Sequence, residues 1–175
     1  GSDVVMGLLR RDPSTGSYHN AMVALGATEQ WYDKRRLVPF GEFFPVPAVV
    51  REWMRLMNLP YSDFDAGPEG QKPLAAGGEA LAPTICYEDA YGVEQIDIVR
   101  KSTLLVNVTN DAWFGDSSAP HQHLDISRMR SLETGRYGLE SPMGRRPDAT
   151  WTEAEKAEIR DRVRAPREER IYWVG

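Results

Sequence analysis

Leu81-Ala82-Pro83-Thr84-Ile85-Cys86-Tyr87-Glu88-Asp89-Ala90-Tyr91 is the stretch on which the reading of this chain turns. Its apolar lead-in, Leu81, Ala82 and Ile85, predicts a short buried strand, and the polar Tyr87-Glu88-Asp89 predicts the strand's exit. Cys86 sits at that exit and is the single cysteine of the 175-residue chain. One thiol makes no internal disulfide and one sulfur falls short of a metal site, so neither a metal nor another cofactor is expected. On these residues alone two readings stay open. Cys86 is either a small core hydrophobe or a nucleophile at the carboxyl end of a strand, where open α/β sheets gather their sites.

Working outward, residues 73–76, Gly77-Gly78 and residues 79–86 predict a hairpin with a Gly-Gly turn. Downstream, residues 88–101 predict a helix with Val93, Ile96, Ile98 and Val99 on or near its buried side. The β-branched run 103–109 is the clearest strand in the chain. It leads into Asn110-Asp111-Ala112-Trp113-Phe114-Gly115, a loop at the same strand end, with Trp113 and Phe114 read as packing residues. Residues 122–133 predict a helix carrying Leu124, Ile126, Met129 and Leu132. Toward the N-terminus, residues 4–9 and 18–25 flank turn chemistry (Asp12-Pro13-Ser14-Thr15-Gly16) and predict a hairpin. A third strand is expected over 28–32, with Lys34 at its exit. Three prolines in 36–47 deny that span a regular helix or central strand, so it reads as a packed, Phe-rich loop holding Glu42. The spacing of Val49, Val50, Trp53, Met54, Leu56 and Met57 predicts a helix over 48–58 that buries one face, Trp53 and the methionines included.

Composition narrows the function classes. The chain is 41 % hydrophobic and 27 % charged, and its net charge is −5. That balance fits a soluble globular chain rather than a disordered one, and the short Lys34-Arg35-Arg36 cluster does not make a nucleic-acid surface. No apolar run approaches the roughly 18 residues that span a bilayer. From Gly138 on, the charge density nearly doubles: 38 residues carry 8 Lys/Arg and 8 Asp/Glu. Residues 138–149 read as a linker. Thr152-Glu153-Ala154-Glu155 is a capping box that opens a solvated helix to Arg164, with Glu158 and Arg162 paired at i,i+4. The expected division is therefore residues 1–137 as a domain and 138–175 as linker and charged helical tail.

Lys34, Glu42 and Cys86 all fall in strand-end loops. A thiol of ordinary pKa, about 8.5, is mostly protonated at neutral pH. Attack on a carbonyl needs a base for the thiol proton and a positive or N–H partner for the oxyanion. A carboxylate and a lysine can supply these. The histidine alternatives are His19 in mid-strand, and His121 and His123 on different sides of a helix. No local feature favours any of them.

Residues 32–42 (Tyr32 through Val38-Pro39-Phe40-Gly41-Glu42), Ile85-Cys86-Tyr87-Glu88, Asn110 to Gly115 and His121 to Glu133 together resemble the nitrilase-like domain of the apolipoprotein N-acyltransferase family. The lysine and cysteine motifs alone would indicate only the carbon–nitrogen hydrolase superfamily. The Val-Pro-Phe-Gly-Glu and Asn-Asp-Ala-Trp-Phe-Gly loops point to the acyltransferase branch. The resemblance implies an α/β fold, the α-β-β-α nitrilase sandwich, present in part and truncated at both ends. It implies Cys86 as nucleophile, Lys34 as the oxyanion-stabilising lysine and Glu42 as its supporting glutamate. Tyr87 and Glu88 correspond to the pair after the nucleophile that the family also needs. The implied partners are a phospholipid acyl donor and a diacylglyceryl-cysteine lipoprotein acceptor, and the implied location is the inner membrane with the domain facing the periplasm. The resemblance implies a general-base glutamate in a loop before the strand with which this sequence opens, and a bundle of transmembrane helices that this sequence does not show, so the chain is expected to lack full activity. A soluble amidase or nitrilase-like hydrolase and a non-catalytic remnant are the alternative expectations.

Overall fold

The computed structural model describes residues 3–47, 49, 50, 53, 56, 57, 64–109, 117–142, 172 and 173. The expected loop at Asn110 to Gly115 and the expected tail helix from Thr152 to Arg164 lie outside them.

Two sheets stack face to face. The first has the order β1-β2-β3: β1 (Val4–Arg11) pairs antiparallel with β2 (Tyr18–Leu25), which pairs antiparallel with β3 (Glu29–Asp33). The β1–β2 turn forms where Asp12 accepts the Ser14 N–H at 2.8 Å, local Asx chemistry that competes with strand extension. The second sheet has the order β4 (Leu74–Ala76), β5 (Glu79–Ile85), β6 (Leu104–Thr109), β7 (Tyr137–Pro142), β8 (Tyr172–Trp173). Gly77 and Gly78 turn β4 into β5 with φ of +62° and +80°, the pair of positive angles that a two-residue hairpin turn requires. From β5 onward every pairing is parallel, which demands crossovers. α1 (Gly92–Arg100) and α2 (Ala119–Thr134) lie in them.

The core fills the space between the sheets: Met22, Ala24 and Tyr32 from the first meet Leu74, Leu81, Ile85, Val106 and Val108 from the second. A 3-10 turn, Cys86–Ala90, leaves β5 and carries both helices, α1 packing on it and on β5, α2 on it and on β7. Among the described residues this gives helix, sheet and sheet as successive layers, and no helix is long and apolar enough to cross a membrane.

Four expectations need correction. The stretch read as a linker from Gly138 begins as strand β7, because its backbone completes the ladder of β6 from Leu104 to Thr109. On α1 the buried positions are Gln95 and Val99, with Val93 and Ile96 exposed. The Gln95 amide donates to the Glu88 carbonyl at 2.5 Å, which turns this face of the helix toward the 3-10 turn. On α2 the buried residue is His123, whereas Met129 and Leu132 face solvent. The helix after Pro47 exists, with Met57 N–H bonded to the Trp53 carbonyl at 3.0 Å. It buries none of its described side chains: Val49, Val50, Trp53, Leu56 and Met57 are all exposed. The space between the sheets is already filled, and this helix lies outside it.

Candidate active site

The site assembles where β3 and β5 end. Lys34 follows β3 directly and is 1 % exposed. Its backbone is fixed from both sides, N–H to the Asn20 carbonyl at 2.7 Å and carbonyl to the Gly67 N–H at 2.8 Å. Only glycine permits the second contact, since a Cβ at position 67 would lie 2.3 Å from the Asp33 carbonyl oxygen. The chain there is braced further by Gln71, whose amide brackets Asp33 by accepting its N–H and donating to its carbonyl.

The Lys34 ammonium donates to Glu42 Oε1 at 2.8 Å. Glu42 is held in turn by Asn20, whose Nδ2 donates to Oε1, and by the Val38 N–H, 2.7 Å from Oε2. The proline-rich loop curls to make this possible: the Glu42 N–H returns to the Val38 carbonyl at 2.8 Å, with Phe40 at φ +62° between them. A buried cation is tolerable only when paired and hydrogen-bonded, so the carboxylate and the lysine specify each other.

Cys86 opens the 3-10 turn with φ +55°. For a residue with a Cβ this left-handed conformation costs roughly 1–2 kcal/mol, and it turns the side chain sharply out of the strand. Cys86 is partly exposed, packed against the core on one side. Glu88 ties this turn to the lysine loop. Its Oε1 accepts the N–H groups of Arg35 at 2.7 Å and Arg36 at 3.0 Å. Its Oε2 accepts the Ile85 N–H at 2.8 Å and the Tyr32 hydroxyl at 3.2 Å. One buried carboxylate therefore joins the residue before Cys86 to the two residues after Lys34. Burial raises the Glu88 pKa, against the N–H donors and the nearby Lys34 charge that lower it. Burial, and then the Glu88 charge, push the Tyr32 phenol far up.

Tyr87 points elsewhere. Its hydroxyl pairs with that of Tyr91, and the two rings meet edge-on at 5.2 Å between centroids; this hydrogen bond raises the Tyr87 pKa. Arg36 sits over the Tyr91 ring at 5.1 Å and forks onto Glu94 with its Nε at 2.7 and 2.8 Å.

The Lys34–Glu42 pair after β3 and Cys86 after β5 are thus tied together through Glu88, and Tyr87 lies on the same 3-10 turn as Cys86. The motifs did not single out Asn20, Asn107 or His123. Asn20 orients Glu42, while Asn107 and His123 bond the Cys86 carbonyl oxygen at 2.8 and 2.9 Å. Asn107 carried a signal, as an amide in the middle of a β-branched strand. Among the described residues no three His, Cys, Asp or Glu side chains group as a metal site. The arrangement ties the loop of a thiol to the loop of a carboxylate-paired ammonium, the two kinds of group that attack on an acyl carbon and the resulting oxyanion require.

Comparison with known proteins bears on the same region. Residues 1–152 match the carbon–nitrogen hydrolase family model. The chain is 49 % identical over 139 residues to an apolipoprotein N-acyltransferase of Methylococcus capsulatus, covering 79 % of this chain and 28 % of that protein. It is 47 % identical over 138 residues to the one from Nitrosomonas europaea, covering 78 % and 28 %. The chain therefore spans little more than a quarter of the length of these curated relatives. Among solved structures it resembles a carbon–nitrogen hydrolase from Helicobacter pylori, at TM-score 0.53 and 16 % identity over 79 % of this chain and 44 % of that one. It also resembles the C. elegans NitFhit protein, at TM-score 0.55 and 16 % identity over 78 % and 32 %. At that identity these two likenesses concern the fold.

Proposed function

From the premise that this chain belongs to the carbon–nitrogen hydrolase family, we propose that it is the acyl-carrying part of an apolipoprotein N-acyltransferase. In the first step the Cys86 sulfur attacks an ester carbonyl of a phospholipid. A C–S bond forms, the C–O bond breaks, and the lysophospholipid leaves as an alcohol with the proton that the thiol gave up. In the second, the free α-amine of a diacylglyceryl-cysteine at a lipoprotein N-terminus attacks the thioester. An amide forms, the amine loses a proton and the thiol is restored. The Lys34 ammonium stabilises both oxyanions, Glu42 holds that ammonium, and Glu88 and Tyr87 keep the loops around the thiol in register. Splitting an ester-to-amide transfer through a thioester replaces one difficult step by two easier ones.

The observation that carries the reading is the Glu88 bridge, which links the backbone just before the nucleophile to the backbone just after the cation. Sequence similarity to the two acyltransferases supports a lipid substrate over a small amide. So do the exposed Phe40, Val49, Trp53, Leu56 and Met57, which follow Lys34 in the chain and would lie along an acyl donor at a membrane surface. Of the candidate-site glutamates, neither Glu42 nor Glu88 is arranged as a free base for the thiol. Glu42 is engaged with Lys34, Asn20 and Val38, and Glu88 with four donors. The 175-residue chain alone is therefore expected to form the thioester from phospholipid only marginally.

Incubation with phosphatidylethanolamine vesicles and a diacylglyceryl-cysteine peptide, followed by mass spectrometry of Cys86 and of the peptide, tests this. Trace, Cys86-dependent acylation is expected. Rapid turnover would overturn the expectation of marginal thioester formation. Ammonia release from small amides, with no acyl transfer, would replace the acyltransferase reading with a hydrolase.

A further inference from the structure

We propose that Asn107 and His123 are positioning residues for the Cys86 thiol. Their two N–H donors converge on the Cys86 carbonyl oxygen and lock Cys86 in the left-handed conformation that aims its side chain out of the strand. The inference rests on Cys86 being the nucleophile and adds to that reading the device that holds the thiol in place.

The donors come from different elements. Asn107 reaches the carbonyl from β6 with Nδ2 at 2.8 Å, and His123 reaches it from α2 with Nε2 at 2.9 Å. Both are buried, 4 % and 8 % exposed. A carbonyl oxygen has two lone pairs, so the pair saturates it. Each donor is itself oriented. Asn107 pairs across the ladder with Thr84, and its Nδ2 also donates to Thr84 Oγ1 at 3.0 Å; because the carbonyl can only accept, the NH2 end of the amide faces Cys86. His123 Nε2 also lies 3.5 Å from Asp89 Oδ1. Asp89 accepts a hydrogen bond from Ser127, one helical turn beyond His123. α2 therefore grips the 3-10 turn at Cys86 and again at Asp89.

Two consequences follow. A carbonyl cannot donate, so Nε2 of His123 carries the proton; that nitrogen is committed to the backbone and does not receive the thiol's proton. The second concerns strain. A non-glycine residue persists at φ +55° only where its surroundings over-determine it. Relaxing it means rotating about the Cys86 N–Cα bond; with β5 held in its sheet and the Ile85 N–H held by Glu88, that rotation carries the Cys86 carbonyl off both donors. Strain and clamp are thus coupled, and that coupling can be measured.

The test is a thermal-unfolding cycle in the full chain. Cys86→Gly is expected to melt above Cys86→Ala, because glycine takes positive φ without a Cβ penalty. In a His123→Leu background the gap between the two should fall by at least half, since residue 86 can relax. His123→Gln, which keeps an N–H donor, should restore it. A gap unchanged in His123→Leu, or one that His123→Gln does not restore, overturns the clamp. Should His123→Leu not unfold cooperatively, Asn107→Ala removes the other donor in the same cycle, and an unchanged gap there overturns the clamp. The thiol is read separately, by single-turnover acylation of Cys86 with p-nitrophenyl butyrate at about pH 9, where an ordinary thiol ionises without help. The saturating rate should drop about tenfold or more in His123→Leu with the half-saturation concentration unchanged, a penalty within the range for a misplaced reacting group. His123→Gln should recover it. A reactive Cys86 whose rate ignores His123 overturns the positioning role alone. A Cys86 unreactive in the wild-type chain overturns the nucleophile reading itself.

Discussion

Lys34 and Glu42 carry the largest electrostatic commitment at the scale of single residues. The ammonium has 1 % of its side chain exposed and the carboxylate 16 %, so replacing Glu42 leaves a buried cation without its counter-charge. Glu42→Gln is expected to cost about 3 kcal/mol of stability, toward the low end for breaking a buried pair, because Asn20 and Val38 still meet the new side chain. Urea denaturation reads that loss, and acylation of Cys86 should fall with it. Glu88 makes the opposite kind of prediction. Its folded pKa is raised above the ordinary value of 4.5 by burial, so the folded state binds this proton more tightly than the unfolded chain does. The contribution is fully present below the unfolded pKa and is lost as pH rises through the folded one. Measured from about pH 4 to about pH 8, the melting temperature of wild type relative to Glu88→Gln should therefore be highest at the acid end and decline upward. An increase toward neutral pH would contradict the raised pKa. Cys86, Lys34, Glu42 and Glu88 were legible as motif residues, each adjacent to a recognisable loop. Asn107 and His123 were not, since their partner is a backbone carbonyl that no side-chain motif encodes.

Among the elements, the helix after Pro47 departs furthest from its sequence pattern. Helical spacing of Val49, Val50, Trp53 and Leu56 is what a buried face looks like, yet Val49 is 81 % and Leu56 78 % exposed. Periodicity reports that an apolar face exists, not what covers it. If lipid covers it, replacing Val49, Trp53 and Leu56 together with serine should leave stability within about 0.5 kcal/mol per site. The same change should weaken sedimentation with phosphatidylethanolamine–phosphatidylglycerol vesicles severalfold. A large stability loss with unchanged vesicle binding would mean that the face packs against protein. The two crossover helices teach the same lesson. α1 buries Gln95 and α2 buries His123, polar residues chosen by what they bond on the 3-10 turn rather than by hydropathy.

For the whole molecule, the core between the two sheets is the source of stability, and it separates true from apparent core residues. Leu81, 4 % exposed among Tyr32, Ile85 and Val106, should cost about 2–5 kcal/mol on replacement by alanine. Leu132→Ala should fall within about 0.5 kcal/mol of neutral, although the two leucines look alike in their sequence patterns. Denaturant midpoints of the two variants check this directly. The sequence by itself determined the strands and their turns, because period-two patterns and the Gly77-Gly78 and Asp12 turn chemistry act over a few residues. It also determined that Cys86, Lys34 and Glu42 stand at strand ends. Only the tertiary structure decided which faces are buried, that residues 138–142 extend the sheet, and that Glu88, Asn107 and His123 converge on the cysteine turn. The physical reason is range. Local propensity is written in neighbouring residues, whereas burial and a shared carbonyl depend on contacts between residues 21 to 53 positions apart, such as Cys86 with Asn107 and His123 and Glu88 with Arg35.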